Sequence, residues 1–136
     1  MSTYPVLMHT ALDATDCREL AEFYRQFLGL RYRPGDEDVD EDGDDWLVLL
    51  DGEGNRVLAI NRVRTLARST WPTDDVPKQM HHDFRVPNVE ELERHRQRAL
   101  DLGATLVYDR SADEGEPLYV LTDPAGHPFC ILVSAG

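Results

Sequence analysis

The chain has 136 residues, with 14 Lys and Arg against 26 Asp and Glu, a formal charge of −12, and 41% hydrophobic and 29% charged residues. That length suits one compact domain or two very small modules, the composition excludes wholesale disorder, and the negative charge disfavours nucleic acid and anionic lipid as partners. The longest apolar runs, such as Trp46 to Leu50, are only five residues, too short for a membrane span, and the start Met1-Ser-Thr-Tyr-Pro-Val lacks the features of a secretory signal, so a cytoplasmic protein is expected.

In chain order, the pattern opens with a strand from Val6 to Asp13 and then a helix start, where Asp16 and Glu19 have capping-box spacing. Leu20, Phe23, Phe27 and Leu28 recur at spacings of three and four, an apolar helical stripe that Gly29 should close. Strands are predicted at Leu30 to Arg33, Trp46 to Leu50 and Arg56 to Val63, the last two joined by the turn Asp51-Gly-Glu-Gly-Asn55. Residues 36–45 hold eight carboxylates in ten positions, and Asp38-x-Asp40-x-Asp42-Gly43 imitates the opening of a calcium loop. Leu49 stands where that loop needs its bidentate Glu, so the segment reads as a solvated loop. Residues 64–79, with two prolines, read as a linker in which Trp71-Pro72 packs as an anchor.

The second half repeats the order. A strand from Met80 to Val86 leads into a helix start at Asn88 and Glu91, with Leu92, Ala99 and Leu100 on the apolar side, His95 between them and Gly103 at the end. Strands follow at Ala104 to Asp109, Leu118 to Thr122 and Pro128 to Ser134, with the turn Asp123-Pro-Ala-Gly-His127 before the last. At a constant offset of 72 residues His9 matches His81, Asp16 Asn88, Glu19 Glu91, Leu20 Leu92, Leu28 Leu100, Asp51 Asp123 and Gly54 Gly126. These are caps, core positions and turns, so the chain reads as a duplicated βαβββ unit: residues 1–63, a linker 64–79, and residues 80–136.

The paired histidines, Phe-Tyr-Arg-Gln-Phe-Leu-Gly-Leu at 23–30, and Asp-Pro-Ala-Gly-His-Pro-Phe at 123–129 resemble the vicinal oxygen chelate superfamily. That group includes glyoxalase I, extradiol dioxygenases, fosfomycin-inactivating thiol transferases and bleomycin-resistance proteins. Thr70-Trp71-Pro72 is similar to the linker of its glyoxalase-like members. The resemblance implies an α+β fold of two tandem βαβββ modules, a curved, cup-shaped mixed sheet with helices outside, and a homodimer. It also implies metal ligands, a His on each module's first strand and a Glu on each last strand. His9 and His81 match the histidines, but Cys130 stands at one Glu position and Leu58 or Ala59 at the other.

Strand alternation places Ala11 and Asp13 on the face of His9, and Asp83 and Arg85 on the face of His81, with Leu12, Phe84 and Val86 toward the helices. One reading is a binding protein whose cup, lined by His9, Trp46, Asn61, Asp83, Arg85, Tyr119 and Cys130, takes a small cationic or aromatic molecule. The alternative is a metal-dependent lyase, isomerase or dioxygenase. There one divalent ion (Zn, Ni, Fe or Mn) sits on His9 and His81, with Cys130 or the substrate as a further ligand and Asp83 shuttling a proton. A third has the cup filled by side chains or a partner chain. Cys130, inside the apolar run Phe129 to Val133, reads more simply as a small buried hydrophobe. With only Cys17 beside it, no disulfide framework is available, and both remain thiols. His82, on the opposite face, and His127, in a turn, read as structural, and His82 and Asp83 are candidates for a local pair. No glycine-rich phosphate loop precedes a helix, and neither Gly-x-Ser-x-Gly nor Cys-x-x-Cys occurs.

Overall fold

In the computed structural model, which describes residues 3–39 and 44–134, both helices start at their capping side chains. Asp16 Oδ1 accepts from the Glu19 N–H at 3.1 Å, and Asn88 Oδ1 from the Glu91 N–H at 2.9 Å. Each acceptor satisfies an N–H that the first helical turn leaves without a partner. Helix α1 therefore spans Cys17–Leu28 and α2 spans Val89–Asp101. Gly29 caps α1, whereas α2 is capped by Leu102 with Gly103 one residue further on.

The chain divides into two compact units, Met1–Leu66 and Ala67–Gly136. The first holds β1 (Thr10–Ala14), α1, β2 (Arg31–Tyr32), β3 (Trp46–Leu50) and β4 (Arg56–Arg62). The second holds β5 (His82–Val86), α2, β6 (Thr105–Arg110), β7 (Leu118–Thr122) and β8 (Pro128–Val133). Each unit is α+β with one four-stranded mixed sheet, ordered β1-β4-β3-β2 in the first and β5-β8-β7-β6 in the second. In each, the first strand runs parallel to the last while the remaining pairs are antiparallel.

The first strands are shorter than the sequence pattern suggests: β1 begins at Thr10 rather than Val6 and β5 at His82 rather than Met80. His9 and His81 thus stand one residue ahead of their strands. Their neighbours explain the shortening. Pro128, which opens β8, has no N–H to extend the ladder beyond the His82–Phe129 pair. In the first unit the pairing of β1 ends at Thr10–Leu58, next to a bulge in β4. Val6, Leu7 and Met8 stay exposed.

That bulge also sets the register of β4. Leu50 faces Arg56 and Leu49 faces Leu58, so Val57 is an extra residue, whereas Thr122–Pro128 and Leu121–Phe129 follow each other without interruption in the second unit. Beyond Val57 the two halves are therefore one residue out of the offset of their turns. The structural counterpart of Cys130 is Ala59, paired with Ala11 as Cys130 is with Asp83, and Leu58 belongs to the other face.

Helix α1 buries Leu20, Ala21, Phe23, Tyr24 and Phe27. Their sheet counterparts are the fully buried Leu47, Leu49, Leu58 and Ile60, which alternate with residues of the opposite face. The ring of Phe23 meets Tyr24 edge-on at 4.9 Å and stacks on Phe27 at 5.5 Å, and truncating a side chain so buried costs about 3–5 kcal/mol. Helix α2 contributes a thinner stripe, with Leu92 and Ala99 buried.

The acidic segment between β2 and β3 is held at its flanks by Arg18 of α1. Its guanidinium forms two bonds to the Asp44 carboxylate, both 2.9 Å, and also donates to the carbonyls of Asp36 at 2.8 Å and Asp38 at 3.1 Å. Asp36 Oδ2 in turn accepts from the Val48 N–H at 3.0 Å, in the middle of β3. The calcium-loop imitation includes residues 40–43, which lie outside the described residues.

The equivalent turn glycines separate two costs of a side chain. Gly54 and Gly126 have φ of +87° and +96°, so a Cβ at either is strained by the left-handed conformation, about 1–2 kcal/mol. At Gly54 the nearest atom to such a Cβ is the mobile end of Arg31 at 3.6 Å, whereas at Gly126 Arg68 Cγ lies at 2.9 Å and its Cα at 3.2 Å. Gly126→Ala is expected to lower the urea midpoint more than Gly54→Ala, by an additional ~1 kcal/mol or more from overpacking against Arg68. Equal losses would remove Arg68 as the cause.

Candidate functional site

Alternation along β5 and β8 places Asp83, Arg85, Cys130 and Leu132 on the face of the second sheet away from α2, joined by Leu118 and Val120 of β7. A cavity of about 570 Å³ opens on this face, lined by His81, Asp83, Arg85, Glu116, Leu118, Cys130, Leu132 and Ser134. Of these, Leu118 and Cys130 belong with Val120 to a buried apolar cluster, against which Trp71 and Leu132 pack. Its volume falls within the roughly 300–1,000 Å³ usual for small-molecule sites.

The polar groups converge at one end. His81 Nε2 lies 3.2 Å from Asp83 Oδ1, and donor atoms of His81, Asp83 and Cys130 all lie within 4.8 Å of one another. Asp83 pairs with His81 rather than with its chain neighbour His82, because consecutive strand residues point to opposite faces. His82 sits beside Phe84 at 5.8 Å, where burial lowers its pKa. Burial, reinforced by the Asp83 charge and a hydrogen bond to Asp83, pushes the Cys130 thiol up to about 11. Cys17, in α1, is likewise pushed up to about 11 by burial and Asp44. Both cysteines are free thiols. Neither has the electropositive surroundings of an activated nucleophile.

Trp71, read from sequence as an anchor, does pack, and it packs at this site. Its ring stacks on His81 at 6.3 Å and 18°, and Lys78 Nζ lies over it at 4.1 Å. No sequence pattern marks Trp71 or Glu116 as site residues, since one belongs to an irregular segment and the other precedes β7. The alternation of β7 and β8 implies Leu118 and Leu132 once Cys130 is placed.

The first unit carries the corresponding face. His9, Trp46 and Asn61 lie on it with Asp13, the His9 and Trp46 rings 5.7 Å apart and Asn61 Nδ2 donating to Asp13 Oδ1 at 3.0 Å. His9 Nδ1 is buried and has no hydrogen-bond partner among the described residues. Ala11 and Ala59 occupy the positions that Asp83 and Cys130 hold in the second unit, beside the apolar cluster of Val48, Leu50 and Ala59.

Tyr119 requires a correction. Expected in the cup, it lies on the helix side of β7, 5% exposed, with its hydroxyl donating to Glu93 Oε1 of α2 at 2.6 Å and the Arg96 guanidinium 5.3 Å from its ring. Leu118 and Val120 take the cavity face, so Tyr119 between them must take the other.

A chain of two βαβββ units, each with a histidine just ahead of its first strand, is of the vicinal oxygen chelate class. The family described as glyoxalase-like domain matches residues 9–132, and the chain belongs to it. Among solved structures it is similar to a possible glyoxalase from Bacillus cereus, at 17% identity and a TM-score of 0.64, covering 93% of this chain and 97% of that one. The fosfomycin resistance protein FosX from Mesorhizobium loti is 17% identical with a TM-score of 0.67, over 98% of this chain and 95% of that one. FosX from Listeria monocytogenes, in a structure complexed with Mn(II) and sulfate, is 16% identical with a TM-score of 0.68, over 99% of this chain and 95% of that one. No curated protein matches significantly. Among the described residues no helix is long and apolar enough to cross a membrane.

The donor set does not fit the two-His, two-Glu arrangement that the resemblance implies. Ala59 and Cys130 hold the glutamate positions, and a methyl group cannot bind an ion while a thiol offers sulfur in place of oxygen. What the second unit offers instead is an imidazole, a carboxylate and a thiol in one cluster.

The Asp83–Cys130 contact is testable through thiol reactivity. With a pKa of about 11, roughly one Cys130 in a thousand is ionised at pH 8, so alkylation by iodoacetamide in the presence of a chelator should be far slower than for a free thiol. Asp83→Asn removes the neighbouring charge, lowers the thiol pKa and should raise the Cys130 rate several-fold, read by peptide mass spectrometry with Cys17 as the internal reference. An unchanged rate would leave burial as the sole cause.

Proposed function

We propose that the protein binds a small organic molecule, cationic or aromatic, in the cavity of its second unit. The observation that carries this reading is the cavity lining: the carboxylates of Asp83 and Glu116 outnumber the single Arg85 guanidinium, above an apolar floor of Leu118, Leu132 and Cys130. Carboxylates at the rim of a low-dielectric pocket favour a cation, and the chain's charge of −12 concentrates cations around it. Membership of the glyoxalase-like family supports small-molecule recognition as the use of this face.

The test is a thermal-shift screen of the full chain in chelator, using aromatic amines, neutral aromatics and aromatic carboxylates at low and high salt. Cationic and neutral compounds are expected to raise the melting temperature, by about 2.7 kcal/mol of stabilisation at a hundred times Kd. The cationic hits should weaken with added salt, since exposed charges are screened over about 8 Å at physiological ionic strength. Asp83→Asn should weaken the cationic hits several-fold, whereas Tyr119→Phe should lower the unliganded melting temperature through its lost bond to Glu93 while leaving the ligand shift intact. Hits confined to carboxylates, insensitive to salt, would overturn the reading.

The same reading takes the protein as a cytoplasmic homodimer. Two buried free thiols suit a reducing compartment, and β6, at a sheet edge with Leu106 and Tyr108 exposed, offers a strand that a second copy can cover. Light scattering should return twice the 15.5 kDa chain mass; a monomer at micromolar concentration would exclude the dimer.

A further inference from the structure

We propose that the second unit binds a thiophilic transition-metal ion, with Zn(II) as the reference case, through the imidazole of His81, a carboxylate oxygen of Asp83 and Sγ of Cys130. This goes beyond organic-ligand binding and is independent of whether such a ligand is found.

Geometry supports it first. With metal–ligand bonds of about 2.0–2.3 Å, the donors of a tetrahedral site stand about 3.3–3.8 Å apart. His81 Nε2 and Asp83 Oδ1 are already 3.2 Å apart, and the three donors lie within 4.8 Å. Asp83 and Cys130 are cross-strand partners in the parallel β5–β8 ladder, so the backbone fixes their proximity, while the His81 and Asp83 side chains are 32% and 57% exposed.

The chemistry of the set selects the ion. Thiolate and imidazole together favour Zn(II) or Co(II) over Mn(II) or Mg(II), which prefer oxygen. On binding, the Cys130 S–H bond breaks, its proton passes to solvent and the sulfur–metal bond forms, so the metal supplies what the buried thiol lacks in water. Three protein donors facing a cavity leave a coordination position for water or a cavity ligand, as in open rather than closed metal sites. The first unit provides the internal contrast: with Ala11 and Ala59 at the matching positions, it lacks the other two donors.

The test uses the untagged full chain, stripped with chelator and titrated with Co(II). Saturation at one Co(II) per chain is expected, with an intense near-ultraviolet thiolate-to-cobalt band that Zn(II) bleaches and Mn(II) does not. Cys130→Ser should abolish the band and Cys17→Ser retain it. Cys130→Ser and His81→Gln should each weaken Zn(II) binding by at least about tenfold, because loss of even an outer-shell partner costs 10–100-fold. Circular dichroism qualifies each variant as folded, and the wild-type titration decides the matter if one is not. Absence of saturable binding, Co(II) bound without the sulfur band, or a band that survives Cys130→Ser would overturn the proposal. The organic screen, run in chelator, reads the other proposal separately.

Discussion

Within the second unit β5 runs parallel to β8, and their register sets Asp83 opposite Cys130. The chemistry of the unit depends on this pairing. Parallel neighbours are about 4.8 Å apart across the ladder, so the backbone itself holds two side chains on one face close together. His81, just ahead of β5, then needs only to fall on the same face to complete the group. The β1–β4 pairing repeats this geometry in the first unit with Ala11 and Ala59, which leaves the scaffold intact and removes the donors. One backbone arrangement thus brings an imidazole, a carboxylate and a thiol together in one half and sets two alanines at the matching paired positions in the other.

The acidic composition divides by role. Asp16 caps a helix, Asp51, Asp113 and Asp123 accept backbone N–H groups in tight turns, and Asp36 and Asp44 bind the flanks of the acidic loop to β3 and Arg18. These six of the 26 acidic side chains are committed to the fold. Asp83 and Glu116 differ in that they border a cavity. The distinction rests on surroundings, since carboxylates in a turn and on a cavity wall look alike in a sequence.

A tyrosine can serve either face of a strand, and Tyr119 illustrates how packing chooses. Its ring fills space between β7 and α2 and its hydroxyl finds Glu93, which keeps the buried polar atom bonded. On the cavity side, Leu118 and Val120 provide apolar walls instead. Trp71 shows the converse: from an irregular stretch it reaches the sheet face, stacking on His81 beneath Lys78.

The duplication, the two helix caps, the hairpin turns and the face of Asp83, Arg85 and Cys130 were legible in the sequence, because capping, turn chemistry and strand alternation act over a few residues. Tertiary structure alone decided the extra residue at Val57, and with it that Ala59 rather than Leu58 is the counterpart of Cys130. It also decided the side taken by Tyr119, the His81–Asp83 pair and the arrival of Trp71 at the cavity. These depend on which strand lies beside which, and in what register, and that choice is made by burial of the whole sheet against its helix.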